Sequence, residues 1–514
     1  MKIAALLAAS SASLAQATVI NLTMTGSTAF RAATENAIAN QLNSPVASFA
    51  TKTGSATTID KADYVTFSGR ASNNTYNILV AWSGSESGIA ATAQTTTPLP
   101  TTPFLSVAGN TQTAVTKATA PGVLTGGNQV GLSGGAAATY ENDVSDVCMS
   151  DGWQASTPFH GTFQSTAYAA LTGDNIATTP SVSIIGVVPF EFVASTKDSN
   201  GVSYAPATYS GGMSTTSGSS TAVLDSAISG LKPGDLISGN PNLPIYESVQ
   251  SIAGDNVTVT LSLPATGTAD VSTTFDYTGI SNISDNLARK TFESAGGTVA
   301  TLSQFTGSSA DSGIDVIAVG RNHDSGTRSA MVLNTMIDKA GTATTAIQQY
   351  YPLDPNGDII GDTGATTTIV SDELVPPETI NGISYSAGES GYSSGGNLAH
   401  VFTATNDLPG TLFIGYLGIN DAKTALGGTG QGAEVLSYGG FYYSPTTVEQ
   451  GQYTFWSYEH LYYKSGLVTA EKGFANSIAN DLATSDAAVS GLVLNSSFQA
   501  SRVPITVDGA IVTD

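Results

Sequence analysis

The chain has 514 residues, which is long enough for two or three domains with buried cores. Its net charge is −23, with only 17 Lys and Arg residues; this argues against broad binding to nucleic acid or anionic membranes, which requires a Lys/Arg-rich surface. Hydrophobic residues make up 41% of the chain and charged residues only 11%, so we expect a globular protein whose surface is solvated mainly by hydroxyl groups.

The first residues have the pattern of an export signal. Lys2 supplies a positive charge, residues 3–8 form an apolar run, and residues 15–17 (Ala-Gln-Ala) have the small-x-small form of a cleavage site. We therefore expect residues 1–17 to be a signal peptide and the protein to be exported, to the periplasm or to the cell surface and the extracellular space. No later apolar run reaches the length of a membrane span, so membrane insertion is not expected.

Three segments share the order strand, polar loop, helix. The predicted strands cover residues 19–22, 76–82 and 314–319, and the predicted helices begin near residues 32, 89 and 329. The loops between them are rich in Gly, Ser and Thr. This order favours an α/β architecture with parallel strands.

The third loop carries the most specific chemistry. It contains Arg321 and, at the predicted start of a helix, Ser325-Gly326-Thr327. The first turn of a helix has free backbone N–H groups and a positive dipole end, and glycine allows a close approach. An arginine adds paired, charge-assisted hydrogen bonds. The loop therefore predicts a site for a small tetrahedral anion.

The remaining chain shows further elements. Residues 95–138, rich in Thr, Pro and Gly, are predicted to form a long surface loop, and residues 184–193 a buried strand. Residues from about 197 to 278 change in character and predict an inserted β-rich subdomain. A further strand is expected at residues 411–416. Cys148, the single cysteine, is expected to be a small buried residue rather than a reactive thiol.

A fourth short motif is Val144-Ser145-Asp146, which by itself would be a turn or a helix cap. Taken in order with the three loops, it resembles the phosphate-binding proteins of high-affinity phosphate importers, within the type II periplasmic binding-protein fold. The matching stretches are residues 25–30 (TGSTAF), 83–88 (SGSESG), 144–146 and 321–327, supported by 187–193, 388–396 (GESGYSSGG) and 452–464.

The resemblance implies an α/β fold of two lobes joined by two crossover strands, near residues 185–190 and 412–416. The first lobe would combine residues 18–187 with residues 416–514. Residues 188–415 would form the second lobe and carry the β-rich insertion at about 197–278. The ligand would lie between the lobes, so that binding is coupled to closure.

The resemblance also implies the site. The residues expected at phosphate are Ser27, Thr28, Ala29, Phe30, Ser83, Ser85, Asp146, Arg321, Ser325, Gly326 and Thr327. Asp146 would be the selectivity residue, because a carboxylate accepts the proton that phosphate carries near neutral pH and repels sulfate, which carries none.

Four residues depart from the family pattern or lie beside it. We expect Glu86 to face the solvent rather than the site, and His323 to be a surface histidine rather than a pH-dependent donor. Arg31 is expected to be a solvent or cap residue rather than a ligand. Arg328 is expected to pair with a carboxylate.

The expected function is thus capture of inorganic phosphate by a monomeric protein that needs no cofactor and is not an enzyme, with an ABC importer permease as its partner. Two alternatives stay open. A phosphatase-like enzyme would need a nucleophile, and residues 84–88 have the glycine spacing of a nucleophile elbow but Glu86 at its centre. A structural or adhesive surface protein would use the insertion at 197–278 for its contacts.

Overall fold

The computed structural model describes residues 18–51, 58–117, 119, 122–131, 137–173, 184–205, 208–228, 231, 233, 235–244, 247–276, 279–293, 299–307, 309–335, 347–362, 365–380, 383–428, 432–503 and 510–513. The predicted signal peptide lies outside these residues.

The helices of the described residues include those expected after the three polar loops. In chain order they are α1 Arg31–Gln41, α2 Ser85–Ala93, α3 Asp285–Phe292, α4 Ser303–Thr306, α5 Gly326–Asn334, α6 Gly395–Thr403, α7 Ile419–Leu426, α8 Pro445–Glu449 and α9 Thr469–Thr484. The helix starts predicted near residues 32, 89 and 329 are confirmed to within four residues.

The strands that precede the β-rich region are, in chain order, β1 Val19–Gly26, β2 Asn43–Ala50, β3 Tyr64–Ala71, β4 Asn74–Ala81, β5 Thr102–Leu105, β6 Thr113–Thr116, β7 Thr125–Gly126, β8 Asn128–Gln129, β9 Tyr140–Asp143, β10 Val147–Ser150, β11 Gly161–Phe163, β12 Thr166–Tyr168, β13 Thr172–Gly173 and β14 Ile184–Ser195. Strands β5 to β8 lie in the stretch predicted to be a long surface loop. That prediction is wrong, because threonine-rich segments pair readily as strands at a sheet edge, as β6 does with β2.

The predicted β-rich region forms a closed barrel in the order β15-β16-β19-β18-β17-β20. Its strands are β15 Thr208–Thr215, β16 Thr221–Leu224, β17 Leu236–Ser238, β18 Glu247–Ile252, β19 Thr258–Leu261 and β20 Ala269–Asp276. The barrel has its own apolar interior, which includes Met213, Val259 and Phe275. Inward apolar and outward polar residues alternate along β19, and this alternation explains why the sequence predicted a β-rich region here.

The strands that follow the barrel are β21 Asn282–Ile283, β22 Ala300–Thr301, β23 Asp315–Ala318, β24 Tyr350–Leu353, β25 Thr368–Ile369, β26 Ser371–Leu374, β27 Glu378–Ile380, β28 Ile383–Tyr385, β29 Thr405–Asn406, β30 Thr411–Gly418, β31 Ala433–Val435, β32 Ser437–Tyr438, β33 Trp456–Tyr463, β34 Ala500–Val503 and β35 Ala510–Thr513.

A mixed sheet of 15 strands organises the described residues, in the order β22-β23-β30-β14-β33-β10-β1-β4-β3-β2-β6-β7, with β8, β13 and β31 beside this path. Strand β1 is parallel to both β4 and β10, and β23 is parallel to β30. The carboxyl ends of β1, β4 and β10 therefore meet at one edge of the sheet, where polar loops can converge.

Strand β14 links the N-terminal part of the sheet to the part that holds β23 and β30. Its residues 184–189 pair with β33 and its residues 190–194 pair with β30, both antiparallel. The chain changes partners again at β33, which pairs with β14 and with β10. Strand β30, which contains residues 412–416, pairs with β14 and with β23, so the position of a second crossover stays a prediction.

One buried apolar cluster runs through both parts of the sheet and includes Leu22, Phe192, Ile414 and Trp456. Cys148 of β10 is fully buried, and burial raises the pKa of its thiol to about 12, so the prediction of a small buried residue is confirmed. The mixed α/β class is confirmed, whereas the division into two lobes and its limits stay predictions.

Candidate anion-binding site

Three chain segments meet where the parallel strands β1, β4 and β10 end. Ser27 follows β1, Ser85 begins α2 after β4, and Asp151 follows β10. Gly26 makes the meeting possible: its φ is +121°, and a Cβ at this position would lie 2.0 Å from the carbonyl oxygen of Met149. The amide of Ser27 donates to that same carbonyl oxygen at 2.9 Å.

Asp151 is the carboxylate at this junction and is only 2% exposed. The hydroxyl of Ser27 donates to its Oδ1, and its own backbone amide donates to Ser85 Oγ at 3.2 Å. Burial raises the pKa of Asp151, while hydrogen bonds from Ser27, Glu459 and Ser85 and the charge of Arg321 act in the opposite direction. The site thus holds a buried acidic group that faces a cation and two hydroxyls.

Glu459 of β33 lies directly beside Asp151. Ser150 pairs with His460 in the antiparallel register of β10 and β33, so Asp151 and Glu459 are the next opposed pair. Glu459 is fully buried, and burial and the charge of Asp151 raise its pKa well above the usual range. Burial thus favours the neutral form of Glu459.

Arg321 enters the junction from the loop between β23 and α5. It is 2% exposed, and its Nε donates to the carbonyl oxygen of Tyr392 at 3.1 Å. Its Nη2 donates to the carbonyl oxygen of Ser393 at 3.0 Å and to Thr28 Oγ1 at 3.5 Å. Burial lowers the pKa of the guanidinium, and Asp421, Tyr416 and Asp151 oppose that shift. Arg321 therefore connects the loop before α6 to the loop after β1.

The backbone of Arg321 is fixed by two further side chains. Its amide donates to Tyr416 Oη at 3.1 Å, and the Tyr416 hydroxyl donates to Gln349 Oε1 at 2.7 Å. Gln349 Nε2 closes the network by donating to the carbonyl oxygen of Arg321 at 3.1 Å. Such a network leaves the backbone of Arg321 little freedom to move. A fixed backbone helps to hold the guanidinium in place, as a preorganised anion site needs.

The first turn of α5 lies against this junction. Ser325 is the N-cap, and its Oγ accepts a hydrogen bond from the amide of Arg328 at 3.4 Å. The amides of Gly326 and Thr327 have no acceptor within the helix, as in any first turn. A Cβ on Gly326 would lie 2.5 Å from Ser85 Oγ and 2.8 Å from Asp151 Oδ2, so only glycine permits this approach.

The predicted site residues divide into three groups, the last of which is Asp146 alone. Ser27, Thr28, Ser85 and Arg321 are brought together with the first turn of α5, Ser325 to Thr327. Three other predicted residues are not among these contacts. Phe30 is fully buried in the apolar core, Ala29 packs 3.5 Å from a Cβ built on Gly418, and Ser83 Oγ is buried without a hydrogen-bond partner among the described residues.

Asp146 does not lie at the junction. It precedes β10, whereas Asp151 follows that strand, so the two carboxylates lie at opposite ends of it. Asp146 forms a salt bridge with Lys464 and accepts from the Thr23 hydroxyl at 3.0 Å. The missed signal is a second Ser-Asp pair, Ser150-Asp151, which follows the apolar residues of β10, where polar groups at strand ends converge.

Glu86 was expected to face the solvent, and the structure shows it buried, with 5% exposure. The hydroxyl of Ser329 in α5 donates to Glu86 Oε1, and the amide of Glu86 donates to the carbonyl oxygen of Asp324 at 3.0 Å. The negative charges that face Arg328 include Glu86 and Glu389, in line with a carboxylate partner for that arginine. Glu86 therefore joins α2 to α5.

His323 was expected at the surface, and it is also buried. Its ring stacks on Tyr385 with 3.4 Å between centroids and 12° between planes. Burial and the nearby charge of Arg328 lower its pKa to about 2, so the imidazole is neutral. It cannot act as a charged donor to an anion near neutral pH.

Arg31 is buried rather than exposed to solvent, and its hydrogen bonds do not reach the junction. It is 8% exposed, its Nε donates to the carbonyl oxygen of Asp60 at 3.0 Å, and its Nη1 donates to that of Ala62 at 3.3 Å. Together with Thr28, Lys61 and Asp421 it lines a cleft of about 290 Å³. Thr28, which contacts Arg321, is therefore shared by this cleft and the junction.

Comparisons with known proteins give only distant likenesses. No family model matches the chain, and no curated protein matches it. A candidate phosphate ABC transporter substrate-binding protein from Clostridium perfringens, solved with bound phosphate, is 11% identical, with a TM-score of 0.35; the match covers 93% of this chain and 100% of that one.

A possible phosphate binding protein from Planctomyces limnophilus DSM 3776 is 10% identical, with a TM-score of 0.28 over 91% of this chain and 89% of that one. At such identities and scores, neither likeness assigns a ligand to this protein.

Proposed function

We propose that this chain is an exported solute-binding protein that captures inorganic phosphate at the junction of Arg321, the first turn of α5 and Asp151. The observation that supports it most strongly is the placement of one guanidinium, two free helix amides and the Ser27 and Ser85 hydroxyls around one buried carboxylate. A tetrahedral oxyanion satisfies the donors, and helix N-termini and arginine are common partners of such anions.

Asp151 favours phosphate among such anions. Near neutral pH phosphate keeps at least one proton and can donate it to a carboxylate. Sulfate has no proton to donate, so it would place a negative charge against Asp151 and leave an acceptor unmatched. A buried polar group left unpaired can discriminate between ligands by several orders of magnitude.

The contacts across the junction support binding coupled to closure. Arg321, Ser325 and Gly326 come from the segment between β23 and α5, whereas Thr28, Ser85 and Asp151 come from loops beside β1, β4 and β10. Glu86 and Asp324 connect these groups through a backbone hydrogen bond of 3.0 Å. An anion that bonds donors from both sides would stabilise the closed arrangement over an open one.

Delivery of phosphate to an ABC importer permease by a monomer is the expected role. The export pattern in residues 1–17 supports it. Among the described residues, no helix has the length and apolar character needed to cross a membrane. Asp151, rather than Asp146, would be the carboxylate at the ligand.

Equilibrium dialysis of the mature chain with labelled phosphate tests the proposal. We expect about one phosphate per chain, competition by arsenate and weak competition by sulfate. Failure of excess unlabelled phosphate to displace the label would contradict it.

Turnover of p-nitrophenyl phosphate that a single substitution abolishes would favour the enzyme alternative instead. Removal of the barrel, residues 208–276, should leave phosphate binding intact, whereas a surface adhesin would lose its contacts.

A further inference from the structure

We infer that Glu459 is a specificity-determining residue: it carries a proton at neutral pH, donates it to Asp151, and so keeps Asp151 an ionised acceptor for the proton of the ligand. This inference rests on the proposed function and deepens it. It concerns a residue that does not itself touch the anion and that acts through Asp151.

The first argument is the hydrogen bonding of Glu459. The side chain has no exposure, and among the described residues no N–H or hydroxyl group donates to either of its oxygens. An ionised carboxylate without donors in such a place costs several kcal/mol, roughly, so the group is neutral. A neutral carboxyl group has one proton to donate, and Asp151 is the acceptor opposite it in the register of β10 and β33.

The second argument is the difference between the two carboxyl groups. Asp151 accepts a hydrogen bond from the Ser27 hydroxyl and is stabilised by the charge of Arg321, whereas Glu459 has neither kind of support. The pair therefore carries one proton and one negative charge, with the proton on Glu459. The unequal surroundings of the two groups make this assignment, as in other paired carboxyl sites.

The other titratable groups near Asp151 and Glu459 do not move the proton from Glu459 to Asp151. Arg321 faces Asp151 from the loop before α5 and favours its charge. Cys148 of β10 is close enough for a charge on Glu459 to affect its pKa. Its thiol stays protonated, because burial raises that pKa to about 12. His460, next along β33, is neutral because burial lowers its pKa to about 3.

The arrangement has a consequence for selectivity. Without a donor from Glu459, Asp151 would lose part of what offsets its burial and would take up a proton at a higher pH. A protonated Asp151 can donate as well as accept, so it could bind sulfate and would no longer favour phosphate. Glu459 thus extends the pH range over which the site distinguishes phosphate from sulfate.

The test compares two substitutions at one position. Glu459→Gln keeps a donor toward Asp151, and Glu459→Leu removes it at similar volume. At pH 7 we expect the ratio of sulfate to phosphate affinity to rise at least about tenfold in the Leu variant and to change less than about threefold in the Gln variant. Equal changes in both variants, or no change in either, would overturn the inference.

A second measurement covers the case in which Glu459→Leu does not fold. The infrared difference spectrum of the unsubstituted protein minus Glu459→Gln at pH 7 should show the carbonyl band of a buried protonated carboxyl group. Its absence would overturn the inference whatever the binding data show. If the unsubstituted protein binds no phosphate but shows the band, the proposed function fails and the protonation of Glu459 stands.

Discussion

Gly326 lies directly against Asp151 across the junction: a Cβ on Gly326 would be 2.8 Å from Asp151 Oδ2 and 2.5 Å from Ser85 Oγ. The positive end of α5 and a buried carboxylate are thus in contact. This contact joins the two groups of chain segments that supply the candidate site, and it makes the site sensitive to the volume of a single methyl group.

Gly326→Ala is therefore expected to prevent the close approach of α5 to Asp151. Overpacking of this kind costs about 1–3 kcal/mol, which corresponds to at least about a fivefold loss of phosphate affinity. Titration calorimetry measures the loss. Gly313→Ala is the matched control, because nothing lies within 4 Å of a Cβ at that position. Equal affinity in both variants would show that α5 does not need to approach Asp151.

Asp151→Asn is expected to relax discrimination against sulfate, since an amide can donate where the carboxylate can only accept. Asp146→Asn is the control: it should leave selectivity unchanged and cost roughly 1 kcal/mol of stability through its contacts with Lys464 and Thr23. Competition binding with both anions checks this. Loss of selectivity in the Asp146 variant alone would restore the assignment made from the sequence.

Arg321→Ala is expected to cost a few kcal/mol of phosphate binding, because an anion buried at the junction would lose its cationic partner. It would also release the carbonyl oxygens of Tyr392 and Ser393. Arg321→Lys is the informative comparison, since lysine keeps the charge but not the fork of donors. Full affinity in the lysine variant would mean that the fork does not contribute.

The sequence located the loops of the site because each combines a local strand, small polar residues and a helix start. It missed Asp151 because two Ser-Asp pairs lie five residues apart, and only the position of β10 between them decides which one meets Arg321. Glu459 had no local signal at all. Its position beside Asp151 comes from an antiparallel pairing between β10 and β33, which are about three hundred residues apart in the chain.

Local sequence patterns also did not predict that Glu86 and His323 are buried. Both residues belong to polar, glycine-containing stretches of sequence, which usually face solvent. Glu86 is buried where α2 contacts Ser329 of α5, and His323 is buried where its ring stacks on Tyr385; neither contact is encoded locally. The same holds for the strands β5 to β8: β6 and β8 pair with β2, β7 pairs with β6, and β5 pairs with β9, all through partners distant in the sequence or not marked by a local pattern.

The buried His323 predicts a loss of stability in acid. Its pKa is about 2 in the folded protein and 6.5 ordinarily, so below about pH 6.5 the unfolded chain binds a proton that the folded chain does not. Stability should therefore fall as the pH falls, by about 1.4 kcal/mol per pH unit from this residue. His323→Phe, which keeps the ring stack on Tyr385, should reduce that slope in urea unfolding between pH 6 and pH 4.

The control for this prediction is His160→Phe, at an exposed position. The pH slope of the His323 variant is compared with the slope of this variant. An identical slope in the His323 variant would mean that His323 is accessible to protons in the folded protein.

The central claim is that the junction of Arg321, α5 and Asp151 binds phosphate and selects it by its proton. Titration calorimetry of the mature protein with phosphate and with sulfate, at neutral pH and at a lower pH, tests it most directly. We predict binding of about one phosphate per chain and far weaker binding of sulfate at neutral pH, with the difference narrowing as Asp151 becomes protonated. No heat and no thermal shift with phosphate, or equal affinity for both anions at neutral pH, would contradict the claim.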